Sequence, residues 1–293
     1  MKSVNESWAE SSTGKRGNQM AAGPQLSPDH LLAAIIKEPD NDEPRKEFAT
    51  RLPQSDPRRE FILNQLTVAR LNFDFEIPEC RTAYSSSQWS LREHYHEWSP
   101  VWPAWIQSKV SYYDFNRGFG ELIRLPADAF LHSAEDLLTA APIRHLDLVE
   151  SKGMWERLAL FHFLAGIQSI SLDDSNLTDE DIGFLAKSPY LKQLRWLNLT
   201  NNRSITRRGV EAMAAHASTT LSNLSYVSLA GAAFNPVEDY AADGETITWQ
   251  SLPESGRELE NKYGYLPWLH LSAAHTSDIV PDRFQSHALH TLK

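Results

Sequence analysis

The chain has 293 residues, of which 41% are hydrophobic and 23% charged, and its formal charge is -10. That length supports a sizeable core, and the acidity argues against a sequence-independent grip on nucleic-acid phosphates, which needs Lys and Arg to displace counterions. The single cysteine, Cys80, excludes an internal disulfide or a thiolate zinc site and suits a reducing compartment.

Residues 1–25 are rich in Ser, Gly, Asn and Gln and read as a disordered tail. They lack the apolar core of a secretory signal, and no stretch of the chain approaches the ~18 apolar residues of a membrane span. The expected setting is therefore cytoplasmic, with neither membrane nor nucleic acid as a partner.

Residues 26–75 predict a small helical module. Ser27 is placed to cap a first helix with Pro28 at its first position, and Leu31, Leu32, Ile35 and Ile36 form its apolar stripe. A second helix follows Pro44, with Phe48, Ala49 and Leu52 inward. Asp56 and Pro57 open a third, in which Ile62, Leu66, Ala69 and Phe73 fall at helical spacing. Residues 76–117 look less regular. Four of the nine tryptophans (Trp89, Trp98, Trp102 and Trp105) lie there, which predicts a packed aromatic connector. Cys80 is expected to be a small apolar filler at a helix edge.

From residue 118 to about 240 the sequence repeats itself. Each unit begins with an apolar-x-apolar strand and continues into a helical run. The second apolar residues are Leu125, Leu148, Leu172, Leu199 and Leu229, spaced by 23, 24, 27 and 30 residues, within the range of leucine-rich repeats. Alternation along each strand turns the leucines inward and the residues between them outward. Ser175 and Asn202 stand where a small polar group can bond turn backbone, Leu177 and Ile205 then enter the core, and the longer Asn202–Ile205 interval predicts a bulged turn. Thr178 is a candidate N-cap for an acidic helix start. Residues 241–293 read as a C-terminal cap, with a strand at Thr246–Gln250 and a helix from Pro253 to Tyr263.

This order of parts resembles a bacterial family that joins an N-terminal repeat-companion domain to ribonuclease-inhibitor-like leucine-rich repeats. The resemblance rests on "LLAAIIKEPDNDEPRKEF" and "DPRREFILNQ" in the first module. It spans Leu26–Leu71 for the companion domain and Gly118–Asn235 for the repeats. The family's Y-A-D-W-L is replaced by "FATRL" at Phe48–Leu52. The resemblance implies an α/β solenoid, with parallel inner strands and outer helices, acting as a non-enzymatic interaction scaffold. Some leucine-rich-repeat proteins of bacterial toxin clusters are immunity proteins, so a cognate toxin, such as a basic nuclease domain, becomes the most concrete partner.

The outward positions of the strands carry the candidate partner-binding residues: His145, Asp147 and Glu150, then Asp173 and Asp174, then Trp196 and Asn198, then Tyr226. Carboxylates concentrate on the second and third units. Trp196 and Tyr226 fall side by side one unit apart, as an exposed aromatic anchor would. No cofactor is called for, because no G-x-S-x-G elbow, P-loop or G-x-G-x-x-G fingerprint occurs. A scaffold or regulator of a signalling enzyme is the second binding-protein reading. In "HYHEW", His94, His96 and Glu97 offer metal-donor types, which keeps a metal-dependent enzyme as an alternative of another class. Their spacing differs from the His-x-x-x-His zinc pattern, and the leading expectation is no metal and no catalysis.

Overall fold

The computed structural model describes residues 27–100, 102–232 and 254–269. Over these residues the protein is an α/β structure with ten α-helices and one six-stranded, mostly parallel sheet.

Four helices open the chain. α1 (Pro28–Lys37) starts as the sequence predicts: the Ser27 hydroxyl accepts from the His30 amide, and Leu31 and Ile35 are buried. α2 (Glu43–Arg51) buries Ala49, while Phe48 and Leu52 are half-buried. α3 (Pro57–Arg70) is capped by Asp56, which accepts from the Arg58 amide, and buries Ile62 and Leu66. α4 (Pro78–His94) is a 17-residue helix packed along α3, where the sequence had suggested an irregular connector. Its inward stripe is Cys80, Ala83, Ser87 and Leu91. Three of these four side chains are small, which hides the helical period from a reading of large apolar residues. Cys80 is fully buried beside Val68 and Ala83, in keeping with the filler role. The connector packs only half of its tryptophans: Trp98 and Trp102 are buried, but Trp89 and Trp105 are 64% and 54% exposed.

After the short α5 (Ala104–Gln107) come β1 (Tyr112–Asn116) and β2 (Phe119–Pro126), an antiparallel hairpin with an irregularity at Asp114/Phe115. The Arg117–Gly118 turn between them has positive φ at both residues, the backbone that two-residue hairpin turns favour. Gly118 has a second constraint, because a Cβ there would stand 2.5 Å from the Ile62 side chain. β1 was not predicted. It occupies the edge of the sheet and shares the apolar cluster of α1–α4, through Phe115 against Phe61, Ile62 and Trp98.

The remaining strands, β3 (His145–Val149), β4 (Ser169–Ser171), β5 (Trp196–Asn198) and β6 (Tyr226–Ser228), add in chain order, each parallel to the one before. Ile123, Leu146, Ile170, Leu197 and Val227 are register partners. With Leu125, Leu148, Leu172, Leu199 and Leu229 they are buried to 1% or less. Their core is shared with Phe130 and Leu137 of α6 (Ala127–Ala140), Ile182 and Leu185 of α8 (Asp179–Lys187), and Val210 and Met213 of α9 (Arg207–His216). Between β3 and β4 the expected helix shrinks to α7 (Trp155–Leu158) and a 3-10 turn at His162–Gly166. α10 (Glu254–Tyr263) packs on α9, and Leu259, Leu266, Trp268 and Leu269 join the same core, as a terminal cover would. The expected strand at 246–250 lies outside the described residues, as does the proposed tail at 1–25.

Each parallel strand is followed at the same offset by one left-handed residue: Glu150, Asp174, Asn201 and Gly231, with φ between 50° and 73°. Three of the four are Asp, Asn or Gly, the residues that best tolerate this conformation, and Glu150 is the exception. Asn202, fully buried, ties the adjoining turns together. Its amide donates to the carbonyls of Leu172, Leu199 and Thr200 at 2.8, 3.0 and 3.1 Å, and its carbonyl oxygen accepts from the Leu177 amide at 2.9 Å. The longer Asn202–Ile205 interval is taken up by bonds from the Arg203 amide to Asn201 and from the Ile205 amide to Asn202. Both Leu177 and Ile205 still reach the core.

Thr178 caps α8 as predicted. Its hydroxyl accepts from the Asp181 amide, and the Asp181 carboxylate accepts from the Thr178 amide at 3.0 Å. Thr178→Ala is expected to cost about 1 kcal/mol, readable as a lower urea midpoint with unchanged slope.

Candidate protein-binding face

The outward side of the sheet presents two register columns. The first runs Leu122, His145, Ser169, Trp196, Tyr226, and the second runs Arg124, Asp147, Ser171, Asn198, Ser228. The alternation places every predicted strand residue on the predicted side. It does not leave all of them accessible.

The first column is buried. His145 is 5% exposed, Trp196 9% and Tyr226 6%, which corrects the expectation of an exposed aromatic anchor. The Trp196 and Tyr226 rings do lie side by side, stacked with centroids 6.0 Å apart and planes 6° from parallel, so each covers a face of the other. Burial pushes the Tyr226 hydroxyl pKa up, against a lowering hydrogen bond with Ser228. His145 is covered as well: its Nδ1 is 2.8 Å from the Ser169 hydroxyl and its Nε2 is 3.9 Å from a Glu121 oxygen.

The second column is half-buried and polar, and it is the more open part of the face. Arg124 lies 3.6 Å from Asp147. Asn198 donates to the Ser171 hydroxyl at 3.3 Å and accepts from the Thr200 amide at 3.0 Å. Just past the strands, Asp173 accepts from Asn201 at 3.1 Å, while Glu150 and Asp174 are exposed on their left-handed backbones.

The electrostatics are those of an under-neutralised acidic patch. Burial raises the pKa of Asp147 to about 6; Arg124 opposes that rise and Asp173 adds to it. The Asp173 pKa is also raised, first by burial, with the Asn201 hydrogen bond opposing and Asp174 adding. Four carboxylates, Asp147, Glu150, Asp173 and Asp174, thus share one side with Arg124, the one Arg or Lys at an outward position of the described strands.

The His94, His96 and Glu97 group takes a different form. His94 ends α4, stacks on Trp98 at 4.8 Å and sets its Nδ1 2.8 Å from Glu97. His96 is exposed, with its ring edge-on to Tyr95. Among the described residues no group of three or more His, Cys, Asp or Glu side chains is arranged to hold a metal ion. Likewise, no described helix is long and apolar enough to cross a membrane.

The residues that sequence reasoning missed are Arg45 and Glu121, both 0% exposed and 2.6 Å apart. The available signal was an acid inside the apolar strand "FGELIRLP", which calls for a buried cation elsewhere. In comparisons with known proteins, the chain matches no family model and no curated protein sequence.

Proposed function

We propose that the chain is a non-catalytic, cytoplasmic protein-binding module. In this reading its parallel sheet is the inner face of a short leucine-rich-repeat solenoid and α1–α3 form the companion domain. The in-register columns and the left-handed residue at a constant offset after each strand support the repeat reading, because stacked repeats need each unit to reproduce its neighbour's turn.

The partner is a basic protein, most concretely the toxin domain that this chain neutralises as an immunity-type protein. The observation that carries this reading is the set of four carboxylates, Asp147, Glu150, Asp173 and Asp174, facing one arginine on the outward side. Such a patch steers a cationic surface into encounter. Asp147 and Asp173 then receive its Lys or Arg side chains, and Asn198 supplies a held amide beside them. Trp196 and Tyr226 form a stiff floor beneath the contact, where exposed side chains would have been anchors.

The test asks first whether a neighbouring reading frame encodes a basic toxin domain, and then pairs this chain with it. Co-expression should restore growth, and Asp173→Lys with Asp174→Lys should slow association at least tenfold at low salt. That deficit should shrink as salt is raised to about 0.5 M, where screening acts within a few ångströms. Association unchanged by the double substitution would remove the acidic face from the mechanism. Protection that persists alongside it would place the interface elsewhere on the chain.

A further inference from the structure

The segment "PDNDEPR", Pro39–Arg45, has no place on the acidic face, yet Asp40, Asp42 and Arg45 converge on the N-terminal ends of β2, β3 and β4, while Glu43 faces solvent and pairs with Lys46. Arg45 is fully buried. Its Nη2 donates to Glu121 at 2.6 Å and to the Pro39 carbonyl at 3.0 Å, its Nη1 reaches the Arg117 carbonyl at 3.4 Å, and its guanidinium lies 5.3 Å from the Phe119 ring centre. Glu121, equally buried, also accepts from Arg117 at 3.0 Å and Asn116 at 2.8 Å. Asp42 adds an ion pair to Arg117 at 3.3 Å, and Asp40 one to Arg144 at 3.1 Å, with Gln168 donating to Asp40 at 3.4 Å.

Glu121, Arg144 and Gln168 are equivalent positions. The Arg144 amide donates to the Glu121 carbonyl and the Gln168 amide to the Arg144 carbonyl, each at 2.8 Å. One seven-residue segment therefore grips the same position at the starts of β2, β3 and β4.

A buried ion pair is a poor source of net stability but a strong selector of one arrangement, because either charge left alone in the interior is expensive. We infer that Pro39–Arg45 is an internal fastener that fixes the helical module as the terminal cover of the sheet, so that α1–α3 and the β1–β2 hairpin open and close as one unit. This inference is independent of what the acidic face binds.

Hydrogen exchange of the full chain tests it. In Glu121→Gln, Arg45 and Arg117 lose their shared carboxylate. Exchange should accelerate at least tenfold together in α1–α3 and β1–β2, while β5 and α9 stay near the parent rates. Acceleration in α1–α3 alone, or none at all, would overturn the inference. Should that variant fail to fold, Asp40→Asn with Asp42→Asn, which alters the more exposed contacts, decides the matter. Joint acceleration of module and hairpin supports the fastener, and change confined to the α1–α2 loop refutes it.

Discussion

Asn202→Ala is expected to lower stability by about 3 kcal/mol, the largest loss foreseen from a single polar truncation. The side chain is fully buried and makes four hydrogen bonds to backbone, three as donor and one as acceptor. Alanine leaves the Leu177 amide and the Leu172 carbonyl in a site from which water is excluded, and each stranded group costs on the order of 1–3 kcal/mol. The turns after β4 and β5 lose their common tie, so the effect should spread to both. Urea denaturation measures it: the midpoint should fall while the slope holds. A loss below about 1 kcal/mol would mean that the two turns are held by their own backbone bonds.

Asp147→Asn should act in the opposite direction and with pH dependence. The unfolded carboxyl titrates near 3.9, whereas burial pushes the folded one up to about 6. The folded chain therefore holds this proton more tightly, and stability falls as pH rises from about 4 to about 6, then levels off. A difference of about two pH units corresponds to at most ~3 kcal/mol. Residual hydration of a side chain 19% exposed reduces this to about 1–2 kcal/mol. Asparagine keeps the shape without the charge, so the variant should be more stable than the parent at pH 7.5 and nearly equal to it at pH 4.5. Arg124, 38% exposed, stays hydrated without its partner. On the proposed reading the same substitution should also weaken binding of a basic protein, the pattern expected of a group kept for function at a cost in stability. Equal urea midpoints at pH 7.5 would show that Arg124 already compensates the buried charge.

What could be read from the residues alone divides along physical lines. Caps and apolar periods are local, and Ser27, Asp56, Thr178 and the column of leucines stand where the sequence put them. The outward side of each strand follows from alternation, so His145, Asp147, Trp196, Asn198 and Tyr226 were assigned to the right face. Accessibility is a tertiary property. Whether Trp196 meets solvent depends on Tyr226 stacked beside it, and the period of residues cannot express that. The helix α4 was obscured because its buried stripe is built mostly from Cys, Ala and Ser, and the strand β1 because it pairs antiparallel with β2 and carries no repeat signature of its own. The Arg45–Glu121 pair joins positions 76 residues apart. Its acid was visible as an anomaly within a strand, but the identity of its cation was not.

The hairpin strand β1 has a consequence for assembly. A sheet that grows by identical parallel additions presents an open row of backbone donors and acceptors at its first strand, and a second molecule could extend it there. Here that row belongs to β1, an antiparallel strand of five residues whose pairing with β2 passes over Glu121, the extra residue of a bulge between the Asp114–Leu122 and Phe115–Gly120 pairs. A bulge steepens the local twist, so a docking strand would have to follow a short and strongly twisted edge that carries the Asp114 carboxylate. The described sheet thus ends on this side in a short antiparallel strand beside a bulge, and edge-to-edge growth through it is disfavoured.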